Sequence, residues 1–324
     1  MPRVLTWHVH GSYLYYLSRA RCQFILPTRP GPDEGYGGRG GDFDWPDNVI
    51  ELPVDQVRDA DFDVVLTQSR RNYLEDRFEL LSADQLRRPL VHLEHDPPRE
   101  SPAETRHFVE DEHAVLVHVT PFNALMWDSG SVPARVIEHG VEVPATLAFQ
   151  GDRPRAVTAV NNLARRGRRL GPDVFDRVAA RVPVDLVGMN AADRGGMEGL
   201  GRRALFNLEV RYRCFFYPVR YTSLGLAVIE AMMLGLPVVG LATTELATVI
   251  QSGRSGYVDT DVDRLTGHVR RLVHNPAEAA RLGTRARTAA RDRFSIERFA
   301  EEWTAVLEDV ASRPRAGRPV RRVA

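Results

Sequence analysis

Short apolar runs ending in Gly, His, Asp or Ser alternate along this chain with longer segments of helical pattern, and that alternation constrains the fold most. A strand, a helix and a strand in succession demand parallel pairing, because a tight hairpin cannot join parallel neighbours. In the first half the strand candidates are RVLTWHV, CQFILP, DVVLTQ, PLVHLEH, HAVLVHVT and ARVIEHG; in the second they are AVTAVNN, VDLVGM, CFFYPV, PVVGLA and SGYVDT. After Asp259 the pattern turns helical, ending in SIERFAEEWTAVLEDVA. The class predicted is α/β with parallel sheets.

A chain of 324 residues exceeds what one core usually needs. The alternation pauses at VPATLAFQGDRPR and then restarts. Two Rossmann-like domains are expected, 1–150 and 151–294, with a helix over 295–311 packing back on the first. Two such sheets facing each other would place their strand ends on the walls of one cleft. The tail 312–324 is basic and Pro-rich and reads as disordered.

Lys plus Arg and Asp plus Glu each number 43, so no net field draws nucleic acid or membrane. Any anion site must be local. All the basic residues are arginine, so phosphate contacts fall to guanidinium forks. Cys22 and Cys214 fit no metal or redox spacing, which suits a reducing cytoplasm. The N-terminus lacks a signal-peptide core, and the apolar run Leu224–Val239 is interrupted by Glu230, Gly235 and Pro237, so no transmembrane segment is expected. Peripheral contact with a membrane stays open.

Ligands of open α/β sheets bind beyond the carboxyl ends of the strands. Four places qualify. Gly11, after the first strand, would let backbone approach a phosphate, although a simple turn explains it as well. His95 and Asp96 close PLVHLEH, where an imidazole oriented by a carboxylate could serve a reacting centre; a capped turn is the alternative. In that strand His92 and Glu94 are read as pointing to opposite faces. In NNLARRGRRLG, arginines flank Gly167 and suit a diphosphate, or simply a solvated face. In RYTSLGLAVIEAMMLGLPVVG, Thr222 or Ser223 would cap a helix over Leu224–Leu234. Its N-H groups would form an anion site, and Glu230 would lie two turns in, as a ligand for hydroxyls or as a buried partner of an arginine. The Gly-rich stretch 31–46 reads as a mobile loop beside the cleft or a surface excursion.

From Pro218 to about Trp303 the chain resembles the C-terminal domain of family 4 (group 1) glycosyltransferases. The resemblance rests on Pro218, Gly225, Leu226, Glu230-Ala231-Met232, Gly235, Pro237-Val238-Val239, Gly253-Arg254-Ser255-Gly256 and DRFSIERFAEEW. More weakly, Ile137 to Glu142 is similar to the family's boundary segment I-P-N-G-V-D, His95-Asp96 to its strand-end pair, and NNLARRG to its G-R-L-x-x-x-K-G. The resemblance implies the GT-B fold and transfer, with retention, from a nucleotide-diphosphate-sugar substrate to an unidentified acceptor, needing neither cofactor nor metal. It implies that Glu230 binds the ribose, that backbone around Ser223, Leu224 and Gly225 binds the diphosphate, that Arg166 replaces a phosphate-binding lysine, and that His95 lies near the transferred sugar. Three positions depart from the family pattern. Thr222 stands where the family has an acid on the donor sugar, Asn162 stands for an arginine, and Thr244 to Thr248 replace G-G-x-P-E. Two other readings keep the same architecture, a catalytically silent nucleotide-sugar-binding protein and a nucleotide-sugar epimerase.

Overall fold

The computed structural model describes residues 1–31 and 33–314, so residues 315–324 of the expected tail lie outside it. The chain divides into two compact units, one formed by Met1–Gly140 with the chain from Ile296 onward, the other by Val141–Ser295. The division falls ten residues before the expected boundary. Its cause is local: Val141 N-H donates to Phe294 and Gln150 N-H to Val210, which tie the linking segment into the second unit.

The first unit holds seven strands: β1 (Arg3–Thr6), β2 (Gln23–Thr28), β3 (Val49–Pro53), β4 (Val64–Thr67), β5 (Leu90–Glu94), β6 (Val115–His118) and β7 (Ala134–Val136). They lie in the order β3-β2-β1-β4-β5-β6-β7, and every pairing is parallel. The second unit holds β8 (Arg153–Ala159), β9 (Val184–Val187), β10 (Tyr212–Tyr217), β11 (Val238–Leu241) and β12 (Gly256–Asp259), in the order β12-β11-β10-β8-β9, again all parallel. The central strands read as unbroken apolar runs because both faces are covered; all of β4 and β11 is buried. An unexpected strand, β3, is an edge strand whose alternating Glu51 and Pro53 stay exposed.

The helices of the first unit are α1 (Gly11–Leu17), α2 (Arg77–Leu80), α3 (Pro121–Met126) and, from the far end of the chain, α10 (Ile296–Ala311). Those of the second are α4 (Pro172–Ala179), α5 (Arg202–Glu209), α6 (Leu226–Leu234), α7 (Leu246–Val249), α8 (Val262–His274) and α9 (Pro276–Arg293). Local chemistry sets their ends. Asp261 caps α8 by accepting from the N-H groups of Asp263 and Arg264, Asn275 caps α9 ahead of Pro276, and Gly235 ends α6 in the left-handed region. Trp303 of α10 is fully buried and donates to the Tyr13 hydroxyl on α1 at 3.1 Å, while Thr304 accepts from Arg21 N-H. Among the described residues no helix is long and apolar enough to cross a membrane.

In each sheet the chain order reverses once, between β1 and β4 and between β8 and β10. Loops leaving the two strands at such a point run in opposite directions and open a crevice. Residues 8–11 and Gln68 flank the first reversal; residues 160–167 and 218–225 flank the second.

Candidate active site

In the first unit, His95 follows β5 and is half-buried. Its Nε2 lies 3.3 Å from Gln68 Oε1. The Gln68 amide nitrogen donates to Thr6 Oγ1 and to the Trp7 carbonyl, which fixes its oxygen towards His95. The proton of the ring therefore sits on Nε2, and Nδ1 is the acceptor. Burial, then the neighbouring His10, hold the His95 imidazole well below the usual histidine range, so it is neutral near pH 7. Its ring packs on His10 at 4.1 Å and edge-on to Tyr13 at 4.8 Å.

Two expectations change here. The group that orients His95 is the Gln68 amide, because the Asp96 carboxylate is engaged by Arg99. His92 and Glu94 share a face, as residues two apart in a strand must, and their side chains approach to 3.9 Å.

Glu94 anchors a buried brace beneath the loop. Its Oε2 accepts from His107 Nε2 at 3.1 Å and its Oε1 accepts from Asp96 N-H at 2.9 Å. Burial opposes its ionisation, yet the His107 and His92 contacts outweigh burial and hold the carboxyl well below the usual range. His92, Glu94 and His107 lie close enough together to surround a cation. The proton positions oppose that use. His107 Nδ1 accepts from Val109 N-H at 3.1 Å, so Nε2 carries the proton and points it at Glu94, leaving no lone pair for a metal. Nearby His118 is lowered to about 4, chiefly by burial.

Gly11 opens α1. A side chain there would strike His8 Nε2 and the Phe43 ring. The stretch 31–46 forms no helix or strand among its described residues, but it is tied down by bridges from His8 to Gly35 and from Thr28 to Gly37, and by stacking of Phe43 on Tyr15. The close approach that Gly11 permits is thus made by this loop's own aromatic ring.

In the second unit, the loop after β8 carries Asn162 in the left-handed region. Its side chain accepts from Asn190 at 2.5 Å, which bonds this loop to the one after β9. Of the arginines that follow, Arg165 pairs with Asp193 and Arg168 with Asp173. Arg166 is exposed and, among the described residues, its guanidinium makes no hydrogen bond or ion pair. The loop after β10 joins it through the N-H groups of Arg220 and Tyr221, both donated to the Arg169 carbonyl.

That second loop leads into α6. Gly225, not Thr222 or Ser223, is the N-cap, and no side chain caps the helix. The hydroxyl of Tyr217 lies where a Gly225 side chain would begin, which excludes larger residues. Ser223 and Leu224 are buried and Thr222 is half-buried. Glu230 lies five residues past the cap, roughly 8 Å along the axis at 1.5 Å per residue. It is buried, with Arg202 Nε at 3.9 Å, while the same guanidinium donates to the Glu142 carbonyl at 2.7 Å.

Behind this pair sits Glu209, at the end of α5. It is 1% exposed, and neither carboxyl oxygen has a hydrogen-bond partner. Burial first, and the charge of Glu230 second, push its carboxyl well above the usual range, which favours the protonated form. Gln68, Arg202 and Glu209 are the members of these two clusters that pattern reading missed. The available signal was slight: a polar residue closing DVVLTQ, and Arg202, Phe206 and Glu209 at helical spacing.

Two parallel-sheet α/β units, each with its polar loops at the sheet's point of reversal, make up the GT-B fold of glycosyltransferases. Sucrose-phosphate synthase from Thermosynechococcus elongatus superposes with a TM-score of 0.68 at 15% identity, over 96% of this chain and 99% of that one. HepE from Anabaena, in complex with UDP and glucose, gives 0.66 at 12% identity, over 95% of this chain and 100% of that one. At the level of sequence, residues 204–289, which lie in the second unit, match the family glycosyl transferases group 1. MMP alpha-(1->4)-mannosyltransferase of Mycolicibacterium hassiacum is 34% identical over 99 residues, 30% of this chain. The match spans 24% of that relative's length.

Proposed function

We propose that the protein transfers a sugar from a nucleotide-diphosphate donor to an acceptor, with the donor nucleotide held by the second unit. The observation that carries this reading is a conjunction at the reversal between β8 and β10. It joins an arginine with no partner, a helix start with no cap, and a buried carboxylate farther along the same helix, two of them inside or beside the segment shared with glycosyl transferases group 1. HepE in complex with UDP and glucose, together with the mannosyltransferase relative, supports a hexosyl nucleotide as the donor class.

The chemistry follows from the groups present. As the bond from the anomeric carbon to the diphosphate oxygen breaks, negative charge grows on the diphosphate. Arg166 and the N-H groups at the start of α6 stabilise that charge where it develops. Glu230 accepts from ribose hydroxyls, with the Arg202 guanidinium 3.9 Å away as its counter-charge. Thr222 offers a hydroxyl, where a family acid would offer a charge. On the first unit, neutral His95 presents Nδ1 as an acceptor for a sugar hydroxyl. The fold family's stereochemical course, retention, is adopted as part of this proposal.

The test is turnover. The protein is incubated with UDP- and GDP-hexoses and release of the nucleoside diphosphate is measured, alongside Glu230→Ala. Release by the wild type, reduced at least about 100-fold in the variant, supports the assignment. Conversion of the donor to an epimer, or equal release by both proteins, would overturn it.

A further inference from the structure

The second unit contains a cavity of about 400 Å3 bounded by α7, the turn 250–255 and the C-terminal half of α9. No residue of 160–167 or 218–225 lines it. The turn 250–255 enters β12 at its N-terminal end, whereas residues 160–167 and 218–225 leave the C-terminal ends of β8 and β10, and all these strands are parallel. That turn of the cavity's wall therefore lies at the opposite end of the sheet from those loops.

Its charges are unbalanced in an informative way. Arg293 lines it but is already satisfied by buried Glu245, at 2.8 Å, and by Thr248. Arg254 and Arg285 also line it, and among the described residues neither guanidinium has a hydrogen-bond or ion-pair partner. This contrasts with most arginines of the unit, which are spent on carboxylates. One carboxylate, Asp292, shares the wall and, among the described residues, bonds to neither arginine. Two unpaired guanidiniums select an oxyanion able to accept forked hydrogen bonds, and phosphate is the natural match. A lone carboxylate repels phosphate but accepts from hydroxyls, as do the Thr248 and Thr288 oxygens on the same wall. The volume lies in the range of small-metabolite sites.

We infer that this cavity binds a phosphorylated sugar or polyol, with Arg254 and Arg285 on the phosphate and Asp292 on hydroxyls. Met232 forms part of the wall and lies two residues beyond Glu230 on α6, so an occupant rests against the helix that carries the candidate donor carboxylate. The inference stands apart from the proposed transfer, and the two fail separately.

The test is calorimetric titration of the full chain with glucose 6-phosphate, inorganic phosphate and glucose. Four further proteins are titrated in parallel: the double variant Arg254→Ala/Arg285→Ala, Asp292→Asn, Glu230→Ala and Arg166→Ala. Glucose 6-phosphate should bind saturably and inorganic phosphate about 10-fold more weakly, with glucose silent. The double variant should lose at least about 10-fold. Asp292→Asn should narrow the gap between glucose 6-phosphate and phosphate, while Glu230→Ala and Arg166→Ala should bind as the wild type does. Absence of saturable binding by the wild type overturns the inference. So does wild-type affinity in the double variant, or loss of binding in Glu230→Ala or Arg166→Ala, which would move the phosphate to the candidate donor site. All the altered side chains of the double variant and Asp292 are exposed, so the fold is not at stake.

Discussion

The two sheets each place polar residues at a point of reversal, yet they treat those residues in opposite ways. In the first unit the polar groups are closed on one another: Gln68 holds His95, Glu94 holds His107 and the Asp96 amide, and Arg99 holds the Asp96 carboxylate. In the second, among the described residues, the groups stay unspent: the Arg166 guanidinium has no partner, α6 has no side-chain cap, and Glu209 has no hydrogen-bond partner for either oxygen. A closed network fixes geometry, because breaking a member leaves polar partners without their hydrogen bonds. Unspent groups store a demand that a ligand can meet. The first unit thus presents a braced set of polar groups and the second a set left without partners among the described residues.

The contrast can be broken, most forcefully at Glu94. Glu94→Ala should remove about 2 to 4 kcal/mol of stability, since it leaves the His107 and Asp96 N-H groups without an acceptor at about 1 to 2 kcal/mol each, and denaturant unfolding would read the loss. A cost below about 1 kcal/mol would show that the brace is not closed.

Arg166→Ala should act on binding alone. It should weaken a nucleoside diphosphate by about 1.5 to 3 kcal/mol, or roughly 10- to 100-fold, with unfolding unchanged, because the side chain touches nothing that the fold needs. If stability fell and affinity held, Arg166 would be structural.

Glu209→Met should stabilise by about 1 to 2 kcal/mol at neutral pH, since it removes two buried unpartnered oxygens. The sign with pH follows from a folded-state carboxyl raised above its unfolded value. Its contribution is intact below the unfolded range near 4.5 and is lost as pH rises, so the advantage of the variant should grow from pH 5 to pH 8. An advantage that shrank with pH would place an ionised, partnered carboxylate there.

The smallest effect is expected at the imidazoles. His92, His95 and His118 are all depressed by burial, so folding excludes protons that the unfolded chain takes up. Stability should decline as pH falls below about 6.5, and the His95 ring resonances should not titrate between pH 6 and 8. A transition near 6.5 for His95 would show an open, solvated ring.

Much of the fold was legible because strands of a parallel sheet covered on both faces read as largely apolar runs, and the eleven runs marked in the sequence all became strands. β3 escaped for the converse reason, since an edge strand keeps Glu51 in water and loses its apolar signature. The candidate site was legible in position but not in state. That Arg165 and Arg168 find Asp193 and Asp173 while Arg166 finds nothing depends on residues up to 28 positions away, and no local pattern encodes it. The same holds for Gln68, which reaches His95 across 27 positions. The start of α6 was misread by two residues because Ser and Thr are favoured caps, whereas the approach of the Tyr217 hydroxyl demands glycine at the cap itself.

The central claim is that the second unit binds the diphosphate and ribose of a nucleotide through Arg166, the start of α6 and Glu230. Its most direct measurement is a thermal-shift titration of the wild type and Glu230→Ala with UDP, GDP and ADP. At least one nucleotide should raise the melting temperature of the wild type in a saturable way, and Glu230→Ala should lose most of that rise. A wild type that no nucleotide stabilises, or a variant that responds as strongly, would contradict the account.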